Sequence, residues 1–194
     1  MHDTHHTCRH LSRRRLLAGV AAASVPLLAG CLGGDESDGE TPDAIALDGP
    51  KQCDVCGMVI EDTHGPNGQT FFEGEYPSDR DGPAWYDSVR ELWTDRFTQE
   101  TRHEPQVTYV TDYSAVEYTI EEGDDRTFIS SAVDVDSFVP AAEAVFVIES
   151  RVEGVMGPDL LPFSAQSDAE AFVDTHSGRV LAAEEITPEV VESL

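Results

Sequence analysis

Two stretches of this chain carry the same order of patterns, and that repetition restricts the fold more than any single motif. In the first, Thr70-Phe71-Phe72 and Ala84-Trp85-Tyr86 read as short strands. Ser88-Val89-Arg90-Glu91 has the spacing of a capping box, with Ser at the N-cap and Glu three residues on. Val89, Leu92, Trp93 and Phe97 then recur at helical spacing, and Gln106 to Val110 resumes a strand. In the second, Ala144 to Ile148 and Leu160 to Phe163 read as strands, and Ser167-Asp168-Ala169-Glu170 repeats the capping box. Ala169, Phe172, Val173 and His176 share a helical face, Ser177-Gly178 stops the helix, and Arg179 to Ala183 is a strand. Each unit reads strand–strand–helix–strand, and one helix laid over a short sheet buries one face of each. The expectation is an α+β protein, a tandem pair of small ββαβ units at about residues 50–125 and 134–188, bridged by Asp134 to Pro140.

Residues 50–194 provide the length for such a domain; residues 1–49 read differently. Arg13 and Arg14 precede an apolar run from Leu16 to Ala29, whose 14 residues are too few to span a bilayer and suit the core of a signal peptide. The arginine pair points to twin-arginine export. Leu28-Ala29-Gly30-Cys31 resembles a lipobox, in which Cys31 is lipidated and becomes the first mature residue. The expected organisation is a leader over residues 1–30 and a Gly-rich acidic tether over residues 31–49. The domain then sits outside the cytoplasmic membrane on a lipid anchor.

Charge excludes one class of partner. The chain has 38 acidic and 12 basic residues; removing residues 1–30 takes one acid and four arginines and leaves a net charge of −29. Nucleic acid needs clustered Lys and Arg, and Lys51 is the only lysine. The acids are scattered rather than clustered, as on a halophilic surface where concentrated salt screens self-repulsion to about 3 Å at 1 M. A haloarchaeal habitat is the expectation.

Sulfur is scarce and concentrated. Without the leader, five sulfur residues remain, and four lie in Cys53-Asp54-Val55-Cys56-Gly57-Met58 and Met156-Gly157-Pro158. A Cys-x-x-Cys pair has three uses. Half of a zinc site needs two more Cys or His ligands, but there is no second cysteine pair and His64, His103 and His176 are isolated. A redox dithiol favours a cysteine at a helix N-terminus, whereas Gly57 to Ile60 reads as a strand. The third use is a soft metal site, for which thiolate and thioether together suit Cu(I). On an extended strand Met58 would share a face with Cys56, and Met156 sits in a Gly/Pro-framed loop. His64, ahead of Gly65-Pro66-Asn67-Gly68, is an exposed loop histidine or an auxiliary ligand. A shared ion would lie where the two units meet, with Gly57 and Gly157 allowing close backbone approach. No Gly-x-Ser-x-Gly, P-loop or paired catalytic acid motif supports a hydrolase or nucleotide enzyme.

These segments, with Asp87-Ser88-Val89-Arg90-Glu91-Leu92, Val107 to Asp112, Val147-Ile148-Glu149-Ser150, Pro162-Phe163, and Asp168 through Gly178-Arg179 to Thr187, resemble the NosL family over roughly residues 50–188. That family comprises lipid-anchored copper chaperones of nitrous oxide reductase maturation. The resemblance implies tandem ββαβ units, a non-enzymatic role, and one Cu(I) passed on through a membrane ABC-type complex. Carried over by position, the implied ligands are Cys56, Met58 and Met156; Cys53 is less secure, because similar proteins often lack a cysteine there. Ser177 stands where the family commonly has a glycine. The alternative function is an extracytoplasmic thiol–disulfide oxidoreductase using Cys53 and Cys56.

Overall fold

The computed structural model describes residues 41–74, 76–98 and 103–194. Arg13, Arg14, Cys31 and the leader lie outside the described residues. The first half runs β1 (Gly68–Phe72), β2 (Ala84–Tyr86), α1 (Val89–Thr98) and β3 (Pro105–Thr111). A connecting stretch carries β4 (Ile120–Glu122), β5 (Thr127–Ile129) and β6 (Phe138–Pro140). The second half runs β7 (Val145–Ile148), β8 (Val152–Glu153), β9 (Leu161–Phe163), α2 (Gln166–His176) and β10 (Arg179–Ala182), followed by α3 (Pro188–Glu192).

Both halves share one topology. In each, the first strand is central and antiparallel to its two neighbours: β1 lies between β2 and β3, and β7 between β9 and β10. The expected ββαβ pair is therefore present. β6 pairs with β3 and widens the first sheet, so the bridge between the halves is itself sheet edge. A third small sheet, not expected from the sequence, sets β5 between β4 and β8, with β5 and β8 parallel.

The alternation along β7 joins the halves. Phe146 and Ile148 enter the core that holds Tyr86, Val89, Leu92 and Trp93 of the first half. Val147 points the other way, into the core of Phe163, Ala169 and Phe172 beneath α2. Full burial of side chains of this size stabilises by about 1.5–3 kcal/mol each, so the central strand of the second sheet is also the hub of the domain. Among the described residues no helix is long and apolar enough to cross a membrane.

Three local expectations change. Residues 42–49, assigned to the tether by composition, run along the domain: Leu47 is buried, the Gln69 amide exchanges two hydrogen bonds with the Ile45 backbone, and Tyr109 donates to the Pro42 carbonyl. The Gly57 to Ile60 strand is replaced by a turn, a single Gln52–Val59 bridge and a short 3-10 helix from Ile60 to Asp62. The second capping box does not form. α2 begins at Gln166, and its entry is held from outside, with Ser164 N–H donating to Asp112 Oδ1 (2.8 Å) and Ala165 N–H to Ser114 Oγ (3.1 Å). Ser167 lies inside the first turn, past the Ala165 N-cap, and so is not placed to cap the helix.

Ser177 ends α2 with φ 63° and ψ 178°, a backbone region almost reserved for glycine. Holding a serine there costs about 1–3 kcal/mol. Ser177→Gly should therefore raise the stability by about 1 kcal/mol, read as a higher denaturant midpoint. An unchanged or lower midpoint would contradict the strain.

Candidate metal centre

The cysteine segment is a closed turn. Cys53 N–H donates to the Met58 carbonyl (2.8 Å) and Gly57 N–H to the Cys53 carbonyl (2.9 Å), which folds Cys53 and Cys56 toward one another. Asp54 fastens this turn to β2. Its N–H donates to the Trp85 carbonyl, its carboxylate accepts from Trp85 N–H and from both terminal nitrogens of Arg80, and the Arg80 guanidinium stacks 3.7 Å from the Trp85 ring centre. Gly57 has φ 78° and Gly157 φ 106°, with open space where a Cβ would lie. These glycines serve turn geometry, not the close backbone approach expected of them.

The first turn of α1 faces the cysteines. The Cys56 thiol donates to Asp87 Oδ2 (3.3 Å) and the Cys53 thiol to Glu91 Oε2 (3.2 Å). One donor atom from each of Cys53, Cys56, Asp87 and Glu91 lies within 4.8 Å of every other. Ser88 caps α1, accepting from Glu91 N–H (3.2 Å), but the Glu91 carboxylate turns to Cys53 instead of closing the expected box. Asp87 is fully buried, and among the described residues its Oδ1 has no hydrogen-bond partner.

Burial dominates the electrostatics. It pushes the Cys53 thiol well above its usual value, against the backbone N–H groups of Cys56, Asp87 and Val55, which favour the thiolate. It also raises Cys56, opposed by the Met58 N–H and the neighbouring Cys53. Glu91 is raised by burial and then by the neighbouring Asp87 carboxylate. Both thiols are thus held protonated until something displaces the protons, and a soft cation does so.

Met58 is half-buried in the turn itself, its N–H directed at the Cys56 sulfur. Met156 lies at the tip of a tight hairpin closed by reciprocal Gly154–Gly157 backbone bonds, and it is 45% exposed. Two anchors root that hairpin. Val155 N–H donates to the His64 carbonyl (2.9 Å), and buried Asp159 accepts from the Ser88 hydroxyl (2.8 Å) and Arg90 N–H (2.7 Å). Met156 therefore springs from a loop fixed to the start of α1, where Asp87 precedes the cap and Glu91 sits in the first turn. The His64 ring turns to Glu121 (3.2 Å) and the face of Phe128, outside the four-group cluster. His103 stacks on Tyr76, and His176 packs on Phe172.

The two carboxylates escaped the sequence reading, which treated Ser88 to Glu91 only as a cap. Only half of the signal was present: Glu91 sits in the first turn of α1, whereas Asp87 precedes the N-cap Ser88 and is aimed by the chain entering the helix.

Comparisons with known proteins agree on one family. The NosL family model matches residues 44–191. The copper-binding lipoprotein NosL of Stutzerimonas stutzeri is 30% identical over 159 residues, covering 82% of this chain and 73% of the relative. Its counterpart in Achromobacter cycloclastes is 29% identical over 180 residues, covering 92% and 84%. The crystal structure of the copper chaperone NosL from Shewanella denitrificans superposes with a TM-score of 0.62 at 27% identity, covering 76% of this chain and 97% of that one. With the family model spanning both ββαβ halves and the cysteine turn, the chain belongs to the NosL family.

Proposed function

We propose that this protein is a copper chaperone, not an enzyme, that carries Cu(I) on Cys56, Met58 and Met156, with Cys53 beside them. The observation that carries the reading is the placement of soft donors: two thiols and Met58 on one fastened turn, and Met156 on an exposed hairpin rooted on the adjoining helix turn. A carrier needs ligands that bind copper and can exchange one at a time. An exposed thioether on a hairpin and an exposed Cys56 permit that exchange. The names of the relatives, copper-binding lipoproteins and a copper chaperone, support the cargo.

The finer parts of the reading follow the family resemblance. Arg13 and Arg14 direct twin-arginine export, Cys31 takes the lipid, and the domain works on the outer face of the cytoplasmic membrane at high salt. Copper passes through an ABC-type assembly complex to the copper–sulfur centre of nitrous oxide reductase.

Competition with a chromophoric chelator should show one Cu(I) per chain. Losing even outer partners of metal ligands costs about 10–100-fold in affinity, so the Cys56→Ser, Met58→Leu, Met156→Leu variant should fall by more than about 100-fold. Wild-type affinity in that variant would reject the site. The dithiol alternative has the proximity of Cys53 and Cys56 in its favour, but burial raises both thiols, opposite to what an attacking thiolate requires. Cys53→Ser separates the two: a dithiol enzyme loses all activity, whereas the chaperone keeps most of its copper affinity.

Cys31→Ser should move the protein from the membrane fraction to the medium, because one acyl chain already gives a partition constant of about 10⁴ M⁻¹ and stable anchoring takes two. A variant that stays membrane-bound would remove the lipobox from the account.

A further inference from the structure

We propose that Cys53 and Cys56 form a reversible disulfide across their own turn, a covalent modification that closes the copper site. It differs from the oxidoreductase alternative in needing no client protein and no turnover. Its consequence for copper rests on the chaperone reading; the disulfide itself does not.

The turn brings the pair together without help from the sulfurs. Gly57 N–H closes it on the Cys53 carbonyl (2.9 Å) and Cys53 N–H on the Met58 carbonyl (2.8 Å), while Asp54 ties it to Arg80 and Trp85. A turn of this size holds residues three apart within about 7 Å at Cα, and disulfides span about 4.4–6.8 Å. The two Sγ atoms already lie within 4.8 Å of one another. Side-chain rotation, with the backbone in place, closes the remaining gap.

Cys56 is exposed and Cys53 is buried, which sets the order of events. The Cys56 sulfur attacks a low-molecular-weight disulfide, RSSR, and releases one RS⁻. The Cys53 sulfur then attacks the Cys56 sulfur and releases the second. The two thiol protons end on the two RS⁻, so one RSSR is reduced to two RSH as the protein dithiol is oxidised.

Two features keep the bond labile. It closes a loop of only a few residues, so it restrains the unfolded chain very little. It also consumes the thiol hydrogens now donated to Glu91 (3.2 Å) and to buried Asp87 (3.3 Å), and both carboxylates lose those donors. The oxidised form is thereby penalised, and reductant returns the pair to thiols. A disulfide has no thiolate to offer Cu(I), so oxidation empties the site; by linkage, bound Cu(I) keeps the pair reduced.

The test uses the full chain, reduced and metal-free, equilibrated without oxygen in mixtures of reduced and oxidised glutathione. Samples are quenched and alkylated at acid pH, then digested with trypsin. Cleavage after Lys51 and Arg80 isolates both cysteines in one peptide, residues 52–80. With oxidised glutathione in excess, that peptide should be lighter than the dithiol by two hydrogens, carry neither alkyl group nor glutathione, and regain both thiols in reduced glutathione. Cys53→Ser should instead give glutathione-capped Cys56. A wild-type peptide that stays a dithiol at every ratio, or that accumulates glutathione adducts, would overturn the disulfide. Competition with the chromophoric chelator should show the oxidised protein binding Cu(I) at least about tenfold more weakly than the reduced one. Equal affinity would overturn the closure of the site. The disulfide in a protein that binds Cu(I) in neither state supports the modification and removes the chaperone; Cu(I) binding without the disulfide does the reverse.

Discussion

Asp159→Ala should destabilise the protein by about 3 kcal/mol at pH 5 and loosen the hairpin that presents Met156. The carboxylate accepts from the Ser88 hydroxyl (2.8 Å), Arg90 N–H (2.7 Å) and Leu160 N–H (2.8 Å). Alanine leaves these donors unpaired in or near the interior, at about 1–3 kcal/mol for each one truly buried. Burial raises this carboxyl from 3.8 to about 7, even though all three hydrogen bonds pull it down. The folded state therefore holds a proton that the unfolded chain gives up. Stability from this group is present in full below pH 3.8 and is lost as the pH rises through about 7. The difference between wild type and variant should be larger at pH 5 than at pH 8, measured by denaturant unfolding at constant salt. A loss below 1 kcal/mol at pH 5, or a gap that widens toward pH 8, would contradict the role given to Asp159.

Gly65→Ala should be as damaging for a steric reason. A Cβ at Gly65 would lie 2.5 Å from Gly154 Cα, a backbone atom that cannot rotate away, and Gly65 has φ 101°. Clash and strain together should exceed about 3 kcal/mol. In a domain of this size that lowers the melting temperature by roughly 6–12 °C. It should also separate His64 from Val155 and so displace Met156. Gly49→Ala is the control, with a positive φ of 71° but nothing within 4 Å, and should cost only about 1 kcal/mol. Equal shifts for the two would show that the seam between His64 and the Met156 hairpin tolerates expansion.

The repeated unit was legible because its strands and helices carry strong local patterns. Val89, Leu92 and Trp93 recur at helical spacing and are all buried. The third sheet was not legible, since strands as short as Ile120–Glu122 and Val152–Glu153 give periodicity nothing to act on. The missing cap at Ser167 and the packed segment 42–49 share a cause. The approach to α2 is fixed by Asp112 bonding Ser164, ahead of the helix, and segment 42–49 by Gln69 bonding Ile45, and local patterns encode neither partner. The sulfurs stood out by rarity. Asp87 and Glu91 did not, in a chain with 38 acidic residues, although only the fold shows that Asp87 is buried with an oxygen to spare.

The exchange of capping groups has a consequence for how the repeat can behave. Asp112, just after β3, holds the approach to α2, while Asp159, just before β9, holds the first turn of α1. Each helix start is thus braced by an aspartate from the other half, although Ser88 still caps α1 from within its own unit. Cut apart, each half would lose these braces and bare a strand face, so the two copies should melt as one cooperative body. A motif written twice has become a single indivisible fold.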